Sequence, residues 1–187
     1  MNGLHFKYTD KEIKEILKTL VLTVDSREKV NQHVLDYFRK KDVPFVIRTI
    51  KTGDYSAYVP KNLELGFVRD TYFDIVVERK NSIDEFIGNI KEDRFENELI
   101  RSQNMNFILV IEDTYENLIN GVYRSEYKPP SLLGRLKTFE ARYDFNTVFV
   151  SNKLIGNFIY HHLYYQIREL LKKWVTLNLI KTVTDNN

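Results

Sequence analysis

Hydrophobic positions along the chain change period several times, and each change marks an element boundary. Ile13, Ile16, Leu17 and Leu20 recur at helical spacing behind a Thr9/Glu12 capping box, which predicts a helix over residues 9–20. LVLTVD (20–25) reads as a buried, β-branched strand ending at Asp25. Val30, Val34, Leu35 and Phe38 mark the inner face of a helix over 28–39. Strands are expected over 44–50, over 54–59 after a Thr52-Gly53 turn, and over 71–80, with 60–66 as a loop or hairpin tip. A second capping box, Ser82 and Glu85, opens one long helix to about 102. A core strand over 106–113 precedes a short helix at 114–120, closed by Gly121. Pro130 then starts a helix over 131–142. The strand 146–150 and a long helix over 152–174 complete the pattern, and 184–187 are expected to fray.

Strands interleaved with helices at these lengths predict an α/β fold, a central sheet flanked by helices on both faces. No repeat or linker divides the 187 residues, so one domain is expected: a helix within 1–19, a core over about 20–175 and a tail at 176–187. Hydrophobic residues make up 43% and charged residues 29%, a globular balance. A chain of this length buries roughly 70% of its unfolded surface without staples. There is no cysteine, so disulfides, thiolate nucleophiles and cysteine zinc sites are excluded. No apolar run approaches the ~20 residues of a membrane span, and the N-terminus lacks a signal-peptide core, so a cytoplasmic location is expected.

The net charge of +2 conceals an asymmetry. Residues 1–123 carry 18 Lys and Arg against 21 Asp and Glu, whereas residues 124–187 carry 10 against 5. An acidic front and a basic back suit a cation site beside a polyanion-binding surface. The acidic residues of the front also gather at strand ends, where α/β folds place their sites. Asp25 and Glu28 follow the first strand, Asp54 opens the third, and Glu78 and Lys80 close the fourth. Alternation in a strand puts Glu78 and Lys80 on one face, about 7 Å apart, and turns Arg79 to the other. Carboxylates so placed can hold Mg²⁺ through hard oxygen ligands, and a neighbouring lysine can stabilise charge on a phosphate. Asp54 and Glu78 are the natural ligands, with Glu28 or Asp25 as a further one. Each piece alone is commonplace, since Gly-Asp is a frequent turn and Asp25-Ser26 can cap the next helix.

Together, Gly53-Asp54, Glu78-Arg79-Lys80 and, after three intervening residues, Asp84 resemble the GD-Xn-ERK-X3-D signature of the XPF/Hef-type structure-specific endonucleases. Val24-Asp25-Ser26-Arg27-Glu28 resembles that family's V-D-x-R-E segment, and Asp93-Arg94-Phe95 with Glu98 and Arg101 resembles the helical stretch after its signature. The resemblance implies a restriction-endonuclease-like fold and a Mg²⁺- or Mn²⁺-dependent endodeoxyribonuclease acting on branched or flapped DNA in recombination, repair or replication. It implies Asp54 and Glu78 as metal ligands, Glu28 and possibly Asp25 completing the site, and Lys80 as the catalytic lysine. Arg27, Arg79 and Asp84 are then supporting signature residues. Family members usually add a tandem helix-hairpin-helix module; about a dozen residues after Trp174 leave no room for one here, which fits a compact, phage-like nuclease in a bacterial or phage-infected cell.

Arg94, Arg124, Lys128, Arg135, Lys137 and Arg142 are the candidate DNA contacts, Arg135 and Arg142 sharing a helical face. Tyr123 and Tyr127 beside them can stack on an unpaired base. The helix 152–174 has two apolar stripes: Ile155, Ile159, Leu163, Ile167, Leu170 and Trp174, and a second of Leu154, Phe158 and Tyr165 beside His161. Such width must be buried centrally or against a second subunit, and dimerisation in the resembled family implies a homodimer through this helix. His162 adjoins His161, but neighbours on a helix point ~100° apart and seldom chelate together. Two alternatives remain open: a non-catalytic DNA-binding partner subunit or scaffold, and a sequence-specific restriction-type enzyme.

Overall fold

Seven strands form one mixed sheet in a computed structural model of the chain, which describes residues 5–173 and 175–176. Trp174 and most of the expected tail, including 184–187, lie outside the described residues. The elements run in chain order as β1 (His5–Phe6), α1 (Asp10–Lys18), β2 (Val21–Val24), α2 (Gln32–Lys40), β3 (Phe45–Ile47) and β4 (Tyr55–Val59). After a short 3₁₀ turn at Leu63–Leu65 come β5 (Thr71–Tyr72), β6 (Ile75–Lys80), α3 (Ile83–Ile90), α4 (Asp93–Ser102) and β7 (Asn106–Ile111). The remaining elements are α5 (Tyr115–Asn120), α6 (Pro129–Tyr143), β8 (Asn146–Phe149), α7 (Ile155–Lys172) and β9 (Val175–Thr176). Among the described residues no helix is long and apolar enough to cross a membrane.

The strand order is β3-β2-β4-β6-β7-β8, with β5 paired to β4 and a separate β1–β9 ribbon. β2 is parallel to β3 and antiparallel to β4, while β6, β7 and β8 are mutually parallel. Between the two halves β4 pairs with β6 only at Tyr55↔Val77, and the far end of β4 pairs with β5 instead. One face, carrying Leu22, Val24, Tyr55, Ala57, Val59, Ile75 and Val77, packs on α1, α2 and α7. The other packs on α3 to α6, through Val76, Phe107, Leu109 and Ile111. That second cluster reaches only β6–β8, so the outward residues of β2 and β4 belong to neither core.

The expected elements are present, with four differences of physical origin. The helix expected over 82–102 is two helices. Ile90 is followed at helical spacing by Asp93 and Arg94, both polar, and a break at Lys91-Glu92 shifts the phase so that Phe95 and Leu99 enter the core. Phe86 and Phe95 then meet edge to face, 6.2 Å apart. The strand expected over 71–80 divides at Phe73-Asp74: β5 pairs with β4 alone, whereas β6 meets β4 only at Val77 and pairs along its whole length with β7. α2 begins at Gln32 rather than 28, and Val30 is exposed, because residues 26–31 form a turn whose carbonyl and carboxylate groups bind a buried arginine. In α7 the buried stripe is Ile155, Gly156, Ile159, Leu163, Ile167 and Leu171, so Leu171 rather than Leu170 faces the core. Leu154 and Tyr165 of the second stripe lie on the surface, 58% and 53% exposed.

Candidate active site

The turn into β4 is built around Gly53. Its φ of +76° is open to glycine, and a Cβ there would stand 3.0 Å from Val76 Cβ and 3.3 Å from the Val77 carbonyl. Gly53 N–H donates to Glu98 Oε1 at 3.1 Å, tying the turn to α4. Asp54 N–H donates to the Val77 carbonyl, Asp25 N–H donates to the Asp54 carbonyl, and the carboxylate of Asp54 accepts from Arg79 N–H at 2.8 Å. Asp54 is thereby held at the splayed end of the β4–β6 pair, beside Glu78.

Strand alternation works as expected on β6. Glu78 and Lys80 share a face, and Lys80 Nζ donates to Glu78 Oε1 at 2.5 Å in a nearly buried pair. Asp54, Glu78 and Lys80 line a cleft of about 330 Å³ together with Glu98, Arg94 and Arg101 of α4. Burial pushes Asp54 up to about 7, against the opposing pull of the Arg79 N–H and the Lys80 charge. Glu78 is likewise raised well above the carboxylate range, first by burial and then by repulsion from Asp54. Burial opposes the charge on Lys80, but the Glu78 carboxylate outweighs it and holds the ammonium above its ordinary value.

A hard divalent cation fits this donor set. The buried Glu78 and half-buried Asp54 carboxylates repel one another, and each keeps one oxygen, Asp54 Oδ1 and Glu78 Oε2, outside the hydrogen bonds formed by the described residues. Among the described residues no three Asp, Glu or His side chains are gathered as a closed metal cage. Mg²⁺ does not require one, since it commonly keeps several waters and takes one or two carboxylates from the protein.

The other expected ligands have different partners. Asp25 accepts four hydrogen bonds, from Arg27 N, Nε and Nη2 and from Ile50 N, which occupy its four lone-pair directions. Burial alone would raise Asp25, but the bonds to Arg27 dominate and lower it. Asp25 and Arg27 therefore form a unit that holds the 25–27 turn against Ile50, and Arg27 also donates to the Ile50 carbonyl. Glu28 lines the cleft but gives Oε1 to Arg79 Nη1 at 3.0 Å and to Val30 N–H. Burial raises Glu28, with the Arg79 charge opposing.

Arg79 points to the opposite face, as its strand position requires. It is 2% exposed and donates to Glu112, Glu28 and the Val30 carbonyl. Glu112 also meets His33 Nε2 at 2.8 Å and accepts from Asn152 at 2.8 Å. Sequence reasoning missed Glu112 and His33, since partners 79 residues apart carry no local signal. Glu98 was legible only as part of the resemblance. Helical spacing could have found its role, because Arg94, Glu98 and Arg101 lie on one side of α4 and all face the cleft.

Asp84 accepts from Arg124 N, Arg124 Nε and Ser125 N, so it pins the loop before α6 rather than joining the cleft. The basic section after 123 is largely neutralised: Arg124 pairs with Asp84, Lys137 with Glu140 and Arg142 with Glu96. Arg135 and Arg142 do share a face, both over the Phe139 ring. Lys128, Arg135 and Arg94 make no ion pair among the described residues. Tyr123 donates to the Tyr127 carbonyl, and Lys91 lies over the Tyr127 ring.

The fold recurs in known structures. The chain is similar to the structures of XPF from Aeropyrum pernix, alone and in complex with DNA, at 19% and 18% identity and TM-scores of 0.59 and 0.58. Each likeness covers 80% of this chain and 66% of the other, so the chain spans just under two thirds of those proteins. No curated protein matches in sequence. The ERCC4 domain family model matches residues 24–174, a span that holds the Asp54, Glu78 and Lys80 cluster and every element from the end of β2 through α7. The chain belongs to the ERCC4 domain family of XPF-type nucleases.

Proposed function

We propose that this domain is a Mg²⁺- or Mn²⁺-dependent endonuclease that hydrolyses phosphodiester bonds in branched or flapped DNA. The observation that carries the reading is the cleft itself, where the half-buried Asp54 meets the buried Glu78 with one oxygen each uncommitted and Lys80 beside them. Asp54 and Glu78 bind the cation, whose charge relieves their mutual repulsion. When bound, the ion polarises a phosphoryl oxygen and lowers the pKa of coordinated water. Lys80 fixes the Glu78 carboxylate through its short bond and adds positive charge where the phosphate gains negative charge. Arg94 and Arg101 line the same cleft and attract the DNA backbone. Gly53, Asp25 and Arg27 hold the turns that present these groups. Membership of a nuclease family and the likeness to XPF in complex with DNA support the substrate class. The exposed Leu154 and Tyr165 at α7, with the half-buried Phe158 between them, support a homodimer through that helix.

The test is cleavage of labelled linear, flap, fork and junction DNAs with Mg²⁺ or Mn²⁺. The wild type is expected to cut branched forms, and Asp54→Asn or Glu78→Gln to lower the rate at least about 100-fold without loss of the folded state. Undiminished cleavage by both variants would overturn the assignment. Tight binding with no cleavage of any form would favour a scaffold, and cutting of plain duplex at fixed sites a restriction-type enzyme.

A further inference from the structure

On the face that carries Glu78, the apolar core under α3 to α6 stops at β6 and does not extend over β2 and β4. There the sheet presents Thr23 of β2, buried beneath Arg48, with the half-buried Ser56 and Tyr58 of β4. Tyr58 stands directly opposite Tyr72 of β5, with ring centroids 5.3 Å apart and planes within 21°. The Arg48 guanidinium lies 4.4 Å from the centroid of Tyr58 and 4.8 Å from that of Tyr72. It donates to Tyr72 Oη at 2.8 Å and to Thr23 Oγ1 at 3.2 Å. All its partners are neutral: among the described residues no carboxylate pairs with Arg48, although Asp74 stands on the rim of the same groove. Tyr72 is 58% exposed, so an ordered aromatic and cationic surface faces water and stabilises no core.

This surface is continuous with the candidate active site. A groove of about 390 Å³ runs along it past Arg48 and Tyr72 to Lys51, and Lys51 also lines the cleft of Asp54 and Glu78. From Asp54 to Tyr58 is four residues along β4, about 13 Å at the rise of a strand. Residues at 54, 56 and 58 share one face, so the path runs from the carboxylates over Ser56 to the tyrosines.

We propose that this groove binds single-stranded DNA, stacking an unpaired base on the exposed Tyr72, which Tyr58 backs, while Arg48 and Lys51 meet the phosphates, and so guides the unpaired strand of a branched substrate to the cleft. The choice of occupant follows from the chemistry. Aromatic faces attract bases of any sequence, and an uncompensated guanidinium and ammonium attract the backbone. A duplex turns its base faces inward and leaves the ring platform nothing to stack on. The inference rests on the nuclease reading for its purpose but not for its test.

Fluorescence anisotropy with labelled oligo(dT) and a duplex of equal length, in EDTA so that nothing is cut, measures the groove directly. Tyr72→Leu is expected to weaken oligo(dT) binding about 5-fold or more, and duplex binding by less than 2-fold, from the worth of one stacked base. Arg48→Gln is expected to weaken oligo(dT) binding and flatten its salt dependence by about one charge. Tyr72→Phe keeps the ring and is expected to bind like the wild type, and a melting curve checks that each variant is folded. A thio-thymidine oligonucleotide should photocrosslink to the peptide containing residue 58 or 72. Wild-type failure to bind oligo(dT), or affinity indifferent to both Tyr72→Leu and Arg48→Gln with crosslinks elsewhere, would overturn the proposal. The two readings fail separately. A chain that cuts no DNA yet loses oligo(dT) on Tyr72→Leu keeps the groove and loses the nuclease, and a chain that cuts flaps but ignores Tyr72 does the reverse.

Discussion

Arg79→Met tests the buried network that ties β6 to the 26–31 turn and to Glu112. The guanidinium is 2% exposed and makes three hydrogen bonds, to Glu112, to Glu28 and to the Val30 carbonyl. Methionine fills much of the volume but leaves Glu112, whose side chain is 2% exposed, as a buried carboxylate with His33 and Asn152 for partners. Removing one member of a buried ion pair costs about 3–5 kcal/mol, because the other charge stays behind. For a domain of this size that corresponds to a fall of roughly 6–20 °C in Tm. Arg79 reaches Asp54 through its backbone N–H, which the substitution keeps, so the loss is one of stability and not of that contact. Adding Glu112→Gln removes the stranded charge while retaining bonds to Asn152, and should recover about 1–3 kcal/mol. Urea unfolding of both singles and the double variant closes the cycle. A loss below about 1 kcal/mol for Arg79→Met, or simple additivity in the double, would refute the network as described.

Two further outcomes follow from the same geometry. Gly156→Ala places a Cβ 2.6 Å from Tyr37 Cβ where α7 crosses α2, so it should lower stability by about 1–3 kcal/mol despite alanine's better helix propensity; an unchanged or raised Tm would show that the helices can part freely. Asp54 at about 7, with Glu78 and Glu28 also raised, means that the folded state holds protons the unfolded state has released, so metal-free stability should fall as pH rises from about 4 to 7. Asp25, lowered by its bonds to Arg27, adds the opposite slope only below that window. Melting in EDTA at about pH 5 and 7.5 should give the higher Tm at the lower pH, with Mg²⁺ restoring stability mainly at the higher one. A metal-free Tm that climbs with pH would refute the burial assigned to the two carboxylates.

Much of the cleft was legible along the chain because its members lie close in sequence to structural punctuation. Gly53 and Asp54 sit at a turn, and Glu78, Arg79 and Lys80 are adjacent on one strand, so period-two alternation already separated Arg79 from its neighbours. The hydrogen-bond partners of Asp25, Glu28 and Asp84 were not legible: Asp25 is saturated by Arg27 and Ile50, Glu28 gives Oε1 to Arg79 and Val30 while Oε2 stays outside the hydrogen bonds of the described residues, and Asp84 holds the loop at Arg124 and Ser125. The partners of the basic section after 123 were likewise not legible, since charge counts do not reveal that Glu96 faces Arg142.

What the sequence by itself determined are the features governed by neighbours in the chain: the helix starts capped by Thr9 and Ser82, the succession of strands and helices along the chain, and the face on which each β6 side chain lies. Even the capping box at Ser82 was half right, for Glu85 accepts from Asn81 N–H instead of Ser82. Tertiary structure alone decided the strand order, the break at Lys91-Glu92 and the splitting of β5 from β6. It also decided the pairing of Arg79 with Glu112 and the open sheet face where Arg48 meets Tyr58 and Tyr72. Periodicity encodes which way a side chain points relative to its own backbone. It does not encode which distant element arrives on that side, and that arrival sets a buried charge's partner and leaves a sheet face covered or open to a ligand.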